Sequence, residues 1–154
     1  MSAAENRIAL GVGRINLSPS PIYPKWILEG NPIARNKLLY ESADGAASSY
    51  IWDCTAGRFT WYYEAEETIH VIEGGVVLTE ASGVVHRLRA GDSYFFPVGA
   101  HVEWDVEDYI RKFALIRTPL PRSLVLAKRA YRFLKRLIGN GGRANASPVM
   151  FQNT

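Results

Sequence analysis

Glycines at 75, 83, 91 and 99 stand eight residues apart, and the runs between them are short and rich in Val, Leu, Tyr and Phe. That rhythm demands many short strands joined by tight turns, the pattern of an all-β sandwich or barrel. None of the connections is long enough to hold a crossover helix, so the strands are expected to be antiparallel. The spacing predicts strands near 67–73, 76–80, 84–89, up to Phe96, 101–106 and 109–117. It also predicts hairpins across Gly74-Gly75 and Ala81-Ser82-Gly83, where glycine supplies the positive φ of tight turns.

The 154 residues suit one domain with a substantial core. No internal repeat is present, which points to a single barrel. The chain carries one cysteine, Cys54, which rules out an internal disulfide and a cysteine metal cluster and suggests a cytoplasmic setting. No stretch approaches the roughly 18 apolar residues that a membrane span requires. Charge is split along the chain. Residues 1–110 hold 8 Lys/Arg against 15 Asp/Glu, a balance of −7, whereas 111–154 hold 10 Lys/Arg and no acid. The basic end is expected to pack on the acidic barrel or on a partner's barrel.

Residues 1–35 contain Pro19, Pro21, Pro24 and Pro32 around Trp26-Ile27-Leu28, the composition of an extended arm wrapping the barrel with little regular structure. The barrel is expected over 36–118. From 119 to 139 the period changes. Leu124, Ala127, Tyr131, Leu134 and Ile138 fall on one helical stripe, with Arg122, Lys128, Arg129, Arg132, Lys135 and Arg136 around it. This predicts an amphipathic basic helix ended by Gly139, followed by a loose tail over 140–154.

Two motifs carry a more specific signal. Glu67 is followed after six residues by Gly74, and Gly91 after five residues by Pro97-x-Gly99. Together they resemble the two sequence signatures of a cupin barrel. Trp52-Asp53-Cys54, the run Phe59 to Tyr63, the acidic group Glu64 to Glu67, and Trp104 followed by Arg111-Lys112 narrow the resemblance. They are similar to the small single-domain cupins related to ureidoglycine aminohydrolase and the ethanolamine-utilisation cupin. The resemblance covers residues 48–117 and, more loosely, 26–47. It implies a conical jelly-roll barrel with a pocket inside and a homodimer paired through its sheets.

The resemblance also implies a divalent metal held by two His and one Glu of the first signature and one His of the second. Here the first two positions fall on Trp61 and Tyr63, or on Thr60 and Tyr62 with a loop one residue longer, and the last on Val102. Glu67 alone remains, and one carboxylate is a poor site for a transition metal. If a metal does bind, Glu67 with His101 or His70 would be its ligands. Strand alternation nevertheless turns His101 away from Val102 and Trp104, and His70 away from Glu67; a bulge near Gly99 could re-aim His101.

An inward Glu67 would lie among Trp61, Tyr63, Tyr94 or Phe96, and Trp104, in an aromatic cup around one carboxylate. Such a cup could bind a small nitrogenous or carboxylate-bearing metabolite or a cation, with Glu67 as general acid or base and Tyr63 as a second catalytic group. Lys112 would hold an anionic part of the ligand. Alternatively, the rings simply fill the barrel and Glu67 pairs with a cation such as Lys112. A metal-dependent aminohydrolase- or dioxygenase-like enzyme is a second functional reading. A third is an interaction module whose basic helix Arg122–Ile138 meets nucleic acid or an anionic membrane, although its apolar stripe favours a packing or dimer role. Cys54 reads as a small buried hydrophobe. Gly11-x-Gly13 lacks the third glycine of a dinucleotide loop. The Asn16 and Asn145 glycosylation patterns mean little without secretion.

Overall fold

The computed structural model describes residues 15–119 and 121–138. The Gly11-x-Gly13 and Asn145 motifs, the first part of the arm, Gly139 and the 140–154 tail lie outside the described residues.

Eight strands form one antiparallel jelly-roll sheet: β1 (Ser18–Pro19), β2 (Ile27–Glu29), β3 (Ala34–Glu41), β4 (Ala47–Tyr62), β5 (Glu66–Glu80), β6 (Val85–Arg89), β7 (Ser93–Phe96) and β8 (His101–Arg117). The order is β1-β3-β4-β8-β5-β6, with β2 beside β4 and β7 beside β5. The path does not close on itself, because β1 and β6 end it. Regular structure thus already begins within the proline-rich arm. Ile27 pairs with Phe59, and Ser18 with Asn36.

The hairpin at Ala81-Ser82-Gly83 is present, closed by Glu80 N–H donating to the Val84 carbonyl at 2.9 Å. The one expected at Gly74-Gly75 is not. β5 runs straight through these glycines, and the two predicted strands over 101–117 are likewise one strand. Both halves of β5 keep pairing with β8, so there is no reversal of direction. The glycines serve a bulge instead. Gly74 has φ +70°, and a Cβ there would fall on the Tyr109 carbonyl oxygen.

That bulge is one of several at the same level. Thr55 pairs with Tyr109 and Gly57 with Val106, so one β4 residue faces Glu107 and Asp108 of β8. Next to them Gly74 pairs with Ile110 and Val77 with Asp105. Here β4, β5 and β8 leave one layer and enter the other, the way strands make the corner of a folded sheet. One layer holds β3, β7 and the outer pairings of 47–55, 109–117 and 66–71; the other holds β2, β6 and the pairings of 57–62, 101–106 and 75–80. The core lies between them, with Trp104, Phe59 and Phe96 as its largest fully buried side chains. On the outer face Asp53, 1% exposed, accepts from Arg35 Nε at 3.0 Å, Arg35 Nη2 at 2.6 Å and the Tyr109 hydroxyl at 2.9 Å, tying β3 and β8 to β4.

A separate unit contains the helix α1 (Arg122–Ile138). Pro121 supplies its first acceptor, taking hydrogen bonds from the Leu124 and Val125 N–H groups. Lys135 and Arg136 complement the dipole in the last turn. No helix among the described residues is long and apolar enough to cross a membrane.

Candidate functional site

Alternation along β4, β5 and β8 turns one set of side chains into the space between the layers. A cavity of about 270 Å³ remains there. Its walls are Tyr50 and Trp52 from the first half of β4, Phe59 and Trp61 from the second, and Trp104 from β8. Ala114 and Ile116 complete the apolar lining; Ser20 and Asn36, joined by a 3.1 Å hydrogen bond from Asn36 Nδ2 to Ser20 Oγ, add a polar edge.

Two charged groups line the cavity, Glu67 from β5 and Lys112 from β8. Both are buried, with side chains 9% and 7% exposed, and Lys112 Nζ donates to Glu67 Oε1 at 2.5 Å. The ammonium also lies 5.0 Å from the Trp52 ring and 4.8 Å from the Trp104 ring. Lys112 therefore occupies the cation slot of an aromatic cage, where each ring face adds attraction of about 0.5–2 kcal/mol. Pair and cage explain each other. A carboxylate and an ammonium this deep would each cost several kcal/mol alone, and β8 brings them together from strands adjacent in the sheet.

The cavity includes Glu67, Trp61, Trp104 and Lys112 of the side chains read from the sequence, and leaves out Tyr63, Tyr94 and Phe96. Tyr63 is inward but buried behind the wall. Its ring stacks on Phe96 at 4.2 Å and its hydroxyl accepts from Trp104 Nε1 at 3.1 Å. Burial, and then the charge of Glu67, hold the Tyr63 phenol well above its usual range, which does not suit a group meant to exchange protons. Phe96 fills the core between Tyr63 and Trp104. Trp52, Phe59, Tyr50 and Asn36 were missed as site residues. Their signal was available, because Tyr50 and Trp52 share the parity of Cys54, and Phe59 that of Trp61.

Tyr94 belongs to a second cavity of about 420 Å³, shared with Glu80, Phe96, Pro97, His101 and Val102. Its hydroxyl donates to Glu80 Oε1 at 2.5 Å, the same oxygen that His86 Nε2 meets at 2.9 Å, while Ser82 Oγ donates to Oε2 at 3.0 Å. These bonds, that of Tyr94 foremost, lower the Glu80 pKa; desolvation and Glu80 raise that of Tyr94 to about 12.

The donor set does not fit the metal of related barrels. Glu67 is the one carboxylate, imidazole or thiolate group lining the first cavity, and its Oε1 is taken by Lys112. His70 is exposed and meets Ser93 Oγ at 2.9 Å; His101 is exposed and stacks on Tyr62. Neither is turned toward Glu67, and among the described residues no three His, Cys, Asp or Glu side chains converge. Cys54 is fully buried, and desolvation raises its thiol to about 12.

The profile of the EutQ-like cupin domain matches residues 41–114. A DUF861-family protein of unknown function from Pseudomonas syringae pv. tomato is 28% identical and superposes with a TM-score of 0.62 over 67% of this chain and 45% of that one. This chain thus spans less than half of that protein's length. A DUF861-family protein from Thermotoga maritima is 34% identical over 42% of this chain and 73% of its own, with a TM-score of 0.40. The EutQ protein of Clostridium difficile is 19% identical, with a TM-score of 0.51 and coverage of 56% and 69%. No curated protein matches.

Proposed function

Since the chain belongs to the cupin superfamily, whose fold places a cavity between two sheet layers, we propose that it binds a small uncharged metabolite beside Glu67 and Lys112. The observation that carries this reading is an aromatic cavity of about 270 Å³ with a buried ion pair in its wall. Mostly apolar walls with a few convergent polar groups are the common form of a small-molecule site.

The pair decides the charge of the ligand. Lys112 already fills the cation slot, and Glu67 already neutralises Lys112. A charged ligand would bring a third charge with no partner among the lining residues, at a cost of several kcal/mol. The cage thus disfavours the cation or carboxylate that an isolated Glu67 or Lys112 would have attracted. A neutral ligand gains apolar contact with the indoles, hydrogen bonds from Lys112 and Asn36, and an acceptor in Glu67. Glu67 is also the group placed to take a proton from such a ligand, which makes acid-base chemistry at this carboxylate part of the proposal.

All four tryptophans of the chain lie in or against this wall, since Trp26 packs on Trp61 at 5.4 Å. Intrinsic fluorescence therefore reports occupancy. Titration with small uncharged amides, alcohols and aldehydes is expected to give saturable quenching with at least one class, and Ala114→Leu, which narrows the cavity while keeping Glu67 and Lys112, to abolish it. Quenching unchanged in Ala114→Leu would place the ligand elsewhere and overturn the reading.

A further inference from the structure

Lys112 is the one amine or thiol among the residues lining the cavity. Its nitrogen is 2.5 Å from a carboxylate able to accept its proton, in surroundings made of indole and phenyl rings. A lysine in a mostly apolar pocket, with a carboxylate at hydrogen-bond distance to carry its proton away and back, is placed to attack a carbonyl carbon. We infer that Lys112 condenses reversibly with a small uncharged aldehyde to form a Schiff base. The inference rests on the ligand-binding role of this cavity and names the class of compound it takes.

The step balances without any further reagent. Glu67 takes one proton from the Lys112 ammonium, and the freed nitrogen pair attacks the carbonyl carbon. The C=O π pair moves to oxygen, which receives a proton from the nitrogen and gives the carbinolamine. Glu67 then returns its proton to that hydroxyl, the C–O bond breaks, and one water leaves as the nitrogen pair forms C=N. Nothing is oxidised or reduced.

The cage favours this outcome as a whole. Ammonium before the reaction and iminium after it both carry one positive charge on the same nitrogen. The Trp52 and Trp104 faces and the Glu67 carboxylate therefore stabilise the product as they stabilise the resting state. Only the brief neutral amine loses that help. A volume of about 270 Å³ corresponds to roughly nine waters at about 30 Å³ each, room for a compound with a single ring. An α-keto acid would fare worse, since its carboxylate would sit near Glu67 with no second cation lining the cavity.

Full-length protein incubated with benzaldehyde and sodium cyanoborohydride, then digested and mapped by mass, tests this in the wild type. The expected result is a benzyl group on Lys112, added at least about tenfold faster than on Lys25 or Lys37, which are exposed. Glu67→Gln should slow labelling at Lys112 about tenfold, and pyruvate in place of benzaldehyde should label it no faster than the surface lysines. If Lys112 is labelled only at the pace of Lys25 and Lys37 while benzaldehyde still quenches tryptophan fluorescence saturably, the cavity binds ligands and the Schiff base is wrong. Absence of both quenching and labelling overturns both proposals. Labelling by pyruvate at the rate seen with benzaldehyde overturns the preference for uncharged carbonyls.

Discussion

β5 carries an inward carboxylate at each end, Glu67 and Glu80, and the barrel treats them differently. In an unbroken strand their odd separation would put them on opposite faces; the bulges at Val71/Glu73 and Gly74/Val77 reset the phase so that each lines a cavity. Glu67 is buried against the full charge of Lys112 and two indoles. Glu80, with its side chain 37% exposed, shares its charge among a phenol, a hydroxyl and an imidazole. Burial governs the choice between them. Where the carboxylate is buried an opposite charge is required, and where it is open to solvent hydrogen-bond donors suffice.

The sharpest way to break that comparison is to remove the cation. Lys112→Met leaves Glu67 buried with no counter-charge and is expected to lower unfolding free energy in denaturant titration by about 3–5 kcal/mol. Glu67→Gln combined with Lys112→Met removes both charges, and the double variant should recover most of that loss, since a neutral pair of similar volume is often as stable as the ions. A cost under about 1 kcal/mol for the single variant would mean that the first cavity is wet, and the distinction between the two ends would fall.

The face on which each residue lies could be read from the sequence more fully than its depth. Alternation correctly separates Glu67 from His70 and Val102 from His101, and the paired signatures identify the barrel. The cavity is harder, because parity does not say how far along the barrel an inward side chain sits. Phe96 pairs directly with Glu67 in the sheet and yet stays out of its cavity, packing on Tyr63 and, like Tyr94 two residues earlier, bordering the other cavity. The glycine pair at 74–75 carries the same composition whether it turns a chain or bulges a strand; only the approach of the Tyr109 carbonyl, a contact remote in sequence, selects the bulge. The pairing of Glu67 with Lys112 was legible as an alternative, since both parities point inward. The two indoles beside the ammonium were not, because their geometry depends on rotamers and on where β4 bends.

The next largest effect tests whether the aromatic wall is part of the electrostatics or only packing. Trp104→Phe keeps an aromatic ring but loses the hydrogen bond to the Tyr63 hydroxyl, part of the attraction for Lys112, and some volume. A loss of about 2–3 kcal/mol is expected from those three contributions. In a Lys112→Met background the electrostatic share is gone, so the same substitution should cost about 0.5–2 kcal/mol less. Equal costs in the two backgrounds would show that Trp104 packs without caging, which would weaken the contrast with the hydrogen-bonded end.

At that end the effect is smaller and appears in its pH dependence. Glu80 has its folded pKa lowered by the hydrogen bonds from Tyr94, His86 and Ser82, in that order. A carboxyl group bound less tightly by its proton in the folded state than in the unfolded state contributes stability above the unfolded value, near pH 4.3. That contribution fades as pH falls through the still lower folded value. The midpoint of thermal unfolding should therefore be slightly higher in wild type than in Glu80→Gln at pH 6, with the difference closing as pH falls below the unfolded value of about 4.3. Tyr94→Phe removes the largest cause of the lowering, so it should move the acid limb to higher pH while Glu80 remains. Added salt should shrink the wild-type advantage here, because Glu80 is open to solvent, and leave the Lys112 effect nearly unchanged. A Glu80→Gln difference that is constant from pH 6 to pH 3 would assign the cluster to hydrogen bonding of an amide as readily as a carboxylate, and charge would then have no part in holding the hairpin to β7.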